Sequence, residues 1–159
     1  MNEILKFYSR KDIQKEIANF AKNREVGDRF KESFGKRPEI IQFSSDVGEF
    51  AKQGATSFHV SVERWKDPLN LSSGLSRKQL DDLRSAWDLI IDIDSKFIEY
   101  NKKAALLLVN ALQFNGLKNI GCKFSGGTGI HLFIPFESFP KKVNNIETRL
   151  LFPEAAQAI

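Results

Sequence analysis

The chain reads as an α+β (mixed α/β) domain in which a mixed or antiparallel sheet is flanked by helices. Three observations predict this class. Segments with apolar residues at helical spacing alternate with segments of period two, short turn signals separate them, and no internal repeat or low-complexity tract interrupts the pattern. With 159 residues, 42% of them hydrophobic and 28% charged, the chain can bury one substantial core, and a single domain over 1–159 is expected.

Residues 10–22 place Ile13, Ile17, Phe20 and Ala21 at helical spacing between lysines, so an amphipathic helix with a basic polar side is expected there. Residues 24–30 and 39–43 read as short extended segments around the turn signal Gly35-Lys-Arg-Pro38. Ser45 and Asp46 can cap a short helix that ends near Gly54. Over 57–65, Phe58, Val60 and Val62 alternate with Ser57, His59, Ser61 and Glu63, the pattern of one half-buried strand. Residues 66–74 are loop, after which Ser76 and Gln79 form a capping-box start for a helix running to about Ala86. A strand over 88–94 follows. Residues 97–116 are the most strongly helical stretch, with Ala104, Leu107, Leu108, Ala111 and Leu112 on one stripe and Gly116 as its stop. Two more strands are expected at 119–124 and 129–135.

The single cysteine, Cys122, excludes an internal disulfide framework and a clustered cysteine zinc site. No apolar run approaches the roughly 18 to 20 residues of a bilayer span, and the start MNEILKFYSRKD turns charged too early for a secretory signal. An intracellular, cytoplasmic protein with no membrane partner is the expectation. Net charge is +4, and its distribution is informative. Residues 1–37 carry ten Lys/Arg against six Asp/Glu, whereas 38–159 carry fourteen of each. A basic first segment suits contact with a polyanion, and equally suits a helix face that needs its lysines for solubility.

Chemistry concentrates in two places. Side chains alternate along a strand, so Asp92 and Asp94 share a face while Ile91 and Ile93 point to the other, with the carboxylates roughly 6 to 7 Å apart at about 3.3 Å per residue. Carboxylates so spaced can ligate the two divalent cations of phosphoryl transfer. The same tripeptide is also an ordinary acidic strand end, or the nucleophile motif of haloacid-dehalogenase-type phosphatases, in which it stands near the N-terminus; here 91 residues precede it. The second place is Lys123-Phe-Ser-Gly-Gly-Thr-Gly-Ile-His131, three glycines in four positions between apolar β segments. Gly126 and its neighbours let backbone N–H groups approach a phosphate, Ser125 and Thr128 add hydroxyls, and Lys123 and His131 add charge or N–H donors, which implies a triphosphate ligand. A tight hairpin turn is the plain alternative. No Gly-Lys-Ser/Thr ends the loop and no helix follows it, so it is neither a Walker loop nor a dinucleotide fingerprint.

Taken together, an apolar strand ending in Asp92-Ile93-Asp94, a helix, and then Ser125-Gly-Gly-Thr-Gly-Ile-His131 resemble the archaeo-eukaryotic primase superfamily, its small catalytic DNA primase subunit above all. KFSGGTGIHLFIPFE is similar also to the polymerase domains of bacterial end-joining ligases. Arg24-Glu25-Val26 and residues 57–68 resemble the family's preceding segments, so the likeness covers about 24–140. The resemblance implies a primase-polymerase catalytic domain in which Asp92 and Asp94 bind Mg²⁺ or Mn²⁺ in a two-metal site, and Ser125 and His131 hold the phosphates of an incoming nucleoside triphosphate. Arg24, Lys36, Arg37 and Arg64 are candidate contacts to nucleotide or template phosphate. The expected activity is short-primer synthesis on a DNA template, extending a primer by nucleotidyl transfer. Two departures stand out. The family's loop often carries an arginine where this chain has Gly127-Thr128. Its third metal-binding carboxylate lies on a later strand, whereas only Glu137, Glu147 and Glu154 follow His131 here, none in a comparable motif. The expectation is therefore an N-terminal catalytic portion of a longer or split subunit, with a second primase polypeptide, large subunit or C-terminal catalytic portion, supplying the missing acid. Its alternative is a nucleotide- or nucleic-acid-binding subunit inactive without that partner.

Overall fold

A computed structural model describes residues 3–158. Helices and small antiparallel sheets succeed one another along them in a mixed α+β fold. The chain partitions into two compact units, Met1–Ser85 and Ala86–Ile159. No helix among the described residues is long and apolar enough to cross a membrane.

In the first unit, α1 (Glu3–Tyr8) and α2 (Lys11–Ala21) lead to β1 (Val26–Phe30) and β2 (Ser33–Phe34). Then come α3 (Ser44–Lys52), β3 (Ser57–Val60), β4 (Glu63–Trp65), α4 (Arg77–Leu83) and the first residues of β5 (Arg84–Trp87). β1 is the middle strand of the sheet β2-β1-β3, with Val26 opposite Val60 and Asp28 opposite Phe58. Val26 of β1 and the apolar stripe of α2 meet in one core of Ala21, Val26, Ile41 and Val47, with Ile17, Phe50 and Phe58 packed on it. Phe20, expected on that stripe, is instead exposed and carries the Arg24 guanidinium 4.9 Å above its ring. Buried Gln14 takes an inward place, its Nε2 donating to the Tyr8 carbonyl at 2.8 Å. Near it, a Cβ on Gly48 of α3 would come within 2.6 Å of that nitrogen, so a larger residue there would displace the Gln14 amide.

Three further expectations are corrected in this unit. Residues 57–65 are two strands because the chain turns at Ser61 and Val62, whose carbonyls accept from Arg24 Nη1 at 2.9 and 3.1 Å. Residues 39–43 join no sheet; their one ladder-like bond is Val26 N–H to the Glu39 carbonyl. Ser76 and Gln79 do cap α4 reciprocally, but the helix ends at Leu83. Arg84 goes extended there, its buried guanidinium paired with Glu63 at 2.8 Å and stacked on Trp65. A tertiary ion pair overrides local helix propensity at this point.

The second unit contains β6 (Leu89–Ile93), α5 (Ile98–Phe114), β7 (Gly121–Phe124), β8 (Ile130–Ile134), the small hairpin β9 (Lys142–Val143) and β10 (Ile146–Glu147), and α6 (Glu154–Gln157). Its sheet has the antiparallel order β6-β8-β7. Register puts Leu89 opposite Ile134, Ile91 opposite Leu132 and Ile93 opposite Ile130. That face is wholly apolar, and α5 covers it with Ala105, Leu108 and Val109. At its far end Trp87 packs with Leu89 and Ile134, and its indole N–H donates to the Thr148 carbonyl at 2.9 Å.

The inward stripe of α5 differs from the one expected. Leu108 and Leu112 do face the core, but their companions are Asn101, Ala105 and Val109, while Leu107 is 69% exposed and Ala104 and Ala111 are exposed too. The run Ala104-Ala-Leu-Leu-Leu-Val109 is apolar on every side, so periodicity cannot choose the inward face. Buried Asn101 marks the face that turned inward, through the hydrogen bonds described next.

Candidate functional site

Both motifs singled out in the sequence lie in the second unit, and the sheet brings them together. Asp92 on β6 is opposite His131 on β8, and His131 is opposite Lys123 on β7. The three therefore form one row across the sheet, on the face turned away from α5. His131 Nε2 lies 3.4 Å from Asp92 Oδ1, with the histidine side chain 33% and the aspartate 62% exposed. The next row along the same face is Ile90, Phe133 and Gly121. A polar row thus lies beside an apolar row on this face.

Asp94 stands one residue beyond β6 and meets a different partner. Thr128 Oγ1 donates to Asp94 Oδ1 at 2.9 Å, which ties the glycine loop to the second acid. The loop is closed by Ser125 N–H donating to the Gly129 carbonyl at 2.9 Å. The fold asks something different of each of the loop's three glycines. Gly126 has φ of +100°, a conformation costly for other residues. Gly129 is buried, and a Cβ there would lie 2.9 Å from Ser125 Oγ and 3.4 Å from Asp94 Cγ, so its absence lets the loop close against the acid. Gly127 is exposed with nothing within 4 Å of where a Cβ would be. Neither conformation nor packing demands a glycine there.

One residue that sequence reasoning passed over completes the assembly. Asn101, 2% exposed, sends its amide to two carbonyls, Thr128 at 2.8 Å and Ser95 at 3.1 Å. A single side chain of α5 thus fixes the glycine loop and the turn that follows Asp94. Its signal in the sequence is a polar amide one turn before Ala105 and two before Leu108, on what becomes the buried stripe.

The other cations expected to contact phosphate all belong to the first unit, and Arg24 and Arg37 have structural partners there. Arg24 belongs to the first unit, buried, with Nε donating to the Phe20 carbonyl at 2.9 Å beside the two bonds that turn the chain at Ser61 and Val62. Arg37 forks onto the carboxylate of buried Glu25 at 2.6 and 2.7 Å, which holds its guanidinium pKa above the ordinary arginine value. Arg64 is half-buried in β4, and Lys36 is exposed in the turn before Pro38. Lys123, on the sheet itself, is the cation that register aligns with His131 and Asp92.

Asp92 and Asp94, the latter bonded to the Thr128 hydroxyl, offer hard oxygen donors that suit Mg²⁺ or Mn²⁺ rather than a soft ion. Among the described residues no group of three or more His, Cys, Asp and Glu side chains is placed to hold a metal ion. Two carboxylates are nonetheless a workable protein share for Mg²⁺, which commonly completes its shell with substrate phosphates and water. Of the later acids, Glu147 pairs with Arg149 at 2.6 Å, Glu137 lies in a 3₁₀ turn and Glu154 opens α6. Compared with models of known protein families and with curated protein sequences, the chain matches neither.

Proposed function

We propose that the second unit is the metal and nucleotide site of a primase-type nucleotidyltransferase, one that builds short primers on a DNA template from nucleoside triphosphates. The observation that supports this best is the convergence of both motifs. Strand register aligns Asp92, His131 and Lys123, and the Thr128 hydroxyl joins the glycine loop to Asp94. In this reading Asp92 and Asp94 hold the cation. When bound, Mg²⁺ or Mn²⁺ supplies charge neutralisation at the phosphates and a lowered pKa for the attacking hydroxyl. His131 and Lys123 bind the triphosphate from one side of the row. Ser125 and Thr128, with the backbone at Gly126 and Gly127, bind it from the loop. His131 also restrains Asp92, and Asn101 keeps the loop in place while the ligand changes the local charge.

A second reading keeps the same site without turnover, as a nucleotide- or nucleic-acid-binding subunit. It is favoured by the count of two carboxylates in the described site, and in it a second primase polypeptide contributes the third. The first test is nucleoside triphosphate binding with Mn²⁺, wild type against Asp92→Ala, Asp94→Ala and His131→Ala. Each variant is expected to weaken metal-dependent binding at least tenfold; undiminished binding in all three refutes the site. Primer synthesis by this chain alone then separates the enzyme from the binding subunit.

A further inference from the structure

The first unit contains a cleft of about 520 Å³ that the site above does not use. One wall is α2, presenting Lys15, Asn19 and Lys22; the other is the segment Ile40 to Ser44 that enters α3, with Ala18, Ala21 and Ile41 as an apolar floor. No aspartate or glutamate lines it. Lys15 and Asn19 stand four residues apart on one face of α2, and Lys22, three further on, is its C-cap on the same side of the cleft. All three are exposed, and neither lysine ammonium has a hydrogen-bond or ion-pair partner among the described residues. Phe43 stands at the opposite wall, 61% exposed, with its ring free of the core.

Each feature narrows the ligand. Lysines without acids on a shared wall select an anion. The two ammonium groups start from positions roughly 10 Å apart along the helix at 1.5 Å per residue, a spacing that suits successive phosphates of a strand better than one phosphate group. An exposed phenylalanine facing cations gives a stacking surface for an unpaired base. The N-terminus of α3 is not the attraction, since the Asp46 carboxylate already accepts from the backbone N–H groups of Gln42 and Phe43 at 3.0 and 2.8 Å. We infer that this cleft is a contact for single-stranded nucleic acid, with Lys15 and Lys22 on successive phosphates and Phe43 stacking a base. The inference extends the proposed function from the reacting nucleotide to the strand, and it rests on that reading only for the biological role of the strand.

The test uses the full chain and a fluorescently labelled oligo-dT, with binding followed by anisotropy across a salt series. Lys15→Gln with Lys22→Gln is expected to weaken binding tenfold or more and to lower the log–log salt slope by about 1.4, at 0.7 per phosphate contact. Phe43→Ala is expected to weaken binding roughly tenfold with the slope unchanged, the mark of a stacking contact. A charge-matched control, Lys52→Gln with Lys78→Gln, is expected to stay within twofold of wild type. Circular dichroism confirms that each variant folds. Equal losses in the two lysine pairs, or oligo-dT binding that ignores Lys15 and Lys22, overturn the inference. So does a dependence on these lysines shown by a free triphosphate but not by the strand. Loss of Mn²⁺-dependent nucleotide binding in Asp92→Ala belongs to the other site, so the two readings fail separately.

Discussion

Asn101 donates from within α5 to the carbonyl of Thr128 at 2.8 Å, joining a helix to the glycine loop across 27 residues of sequence. The same amide holds Ser95 at 3.1 Å, so the segments bearing both motifs share one buried anchor. Replacing it with an apolar residue leaves two carbonyls without their donor, at about 1 to 3 kcal/mol for each group that stays buried and unpaired. Asn101→Leu is expected to lower the unfolding free energy by about 2 kcal/mol in denaturant titration and to weaken Mn²⁺-dependent nucleotide binding. Unchanged stability and binding would show that the amide anchors nothing.

The glycines of the loop predict opposite outcomes for the same substitution. At Gly129 a methyl group would sit 2.9 Å from Ser125 Oγ, so Gly129→Ala is expected to destabilise the unit by about 1 to 3 kcal/mol and push the loop from Asp94. At Gly127 nothing lies within 4 Å, so Gly127→Ala is expected to leave the melting temperature within a degree or two. If a phosphate approaches that backbone as proposed, Gly127→Ala still weakens triphosphate binding, by isothermal titration, severalfold. Full affinity in Gly127→Ala would remove the loop backbone from the phosphate contacts.

Asp28, 4% exposed on β1, has an Oδ1 with no hydrogen-bond partner among the described residues and lies beneath Gly35, whose added Cβ would come 2.5 Å from it. Burial pushes its pKa above the usual aspartate range, its own backbone N–H works against this, and nearby Glu39 adds to the rise. The folded chain therefore holds this proton more tightly than the unfolded chain does. Its contribution favours folding below the ordinary aspartate pKa and is lost as pH rises through the raised one. Asp28→Asn is expected to be more stable than wild type at pH 7, with the difference vanishing as pH falls below that window. Urea titrations at several pH values check the sign; a variant equally destabilised at every pH would contradict it.

Glu25 and Arg37 form an asymmetric pair, the carboxylate 6% and the guanidinium 59% exposed. Arg37→Ala strands a buried carboxylate, at a cost of about 3 kcal/mol, whereas an exposed ion pair would change stability by less than 1. Glu25→Gln is expected to cost less, because the side-chain amide keeps an acceptor for Arg37. Thermal unfolding of the two variants measures the order, and a neutral Arg37→Ala would release Arg37 for a role outside the fold.

The sequence alone determined the α+β class, the positions of α2, α5 and β6, and the two motifs, because their signals are local. Helical spacing, period two and glycine density survive without knowledge of any neighbour. It also placed Asp92 and His131 on strands, but which strands pair is a matter of register. Only the folded chain put Asp92 opposite His131 and His131 opposite Lys123. Tertiary contacts decided three further points against local pattern. The Arg84–Glu63 pair ended α4 early, the Arg24 guanidinium broke residues 57–65 into two strands, and buried Asn101 marks which side of an all-round apolar helix faces the sheet. In each case the deciding partner lies six to 38 residues away in sequence, beyond the reach of a periodicity read over one element. A buried polar group must find its partner wherever the fold provides it, and that requirement is invisible until the chain is packed.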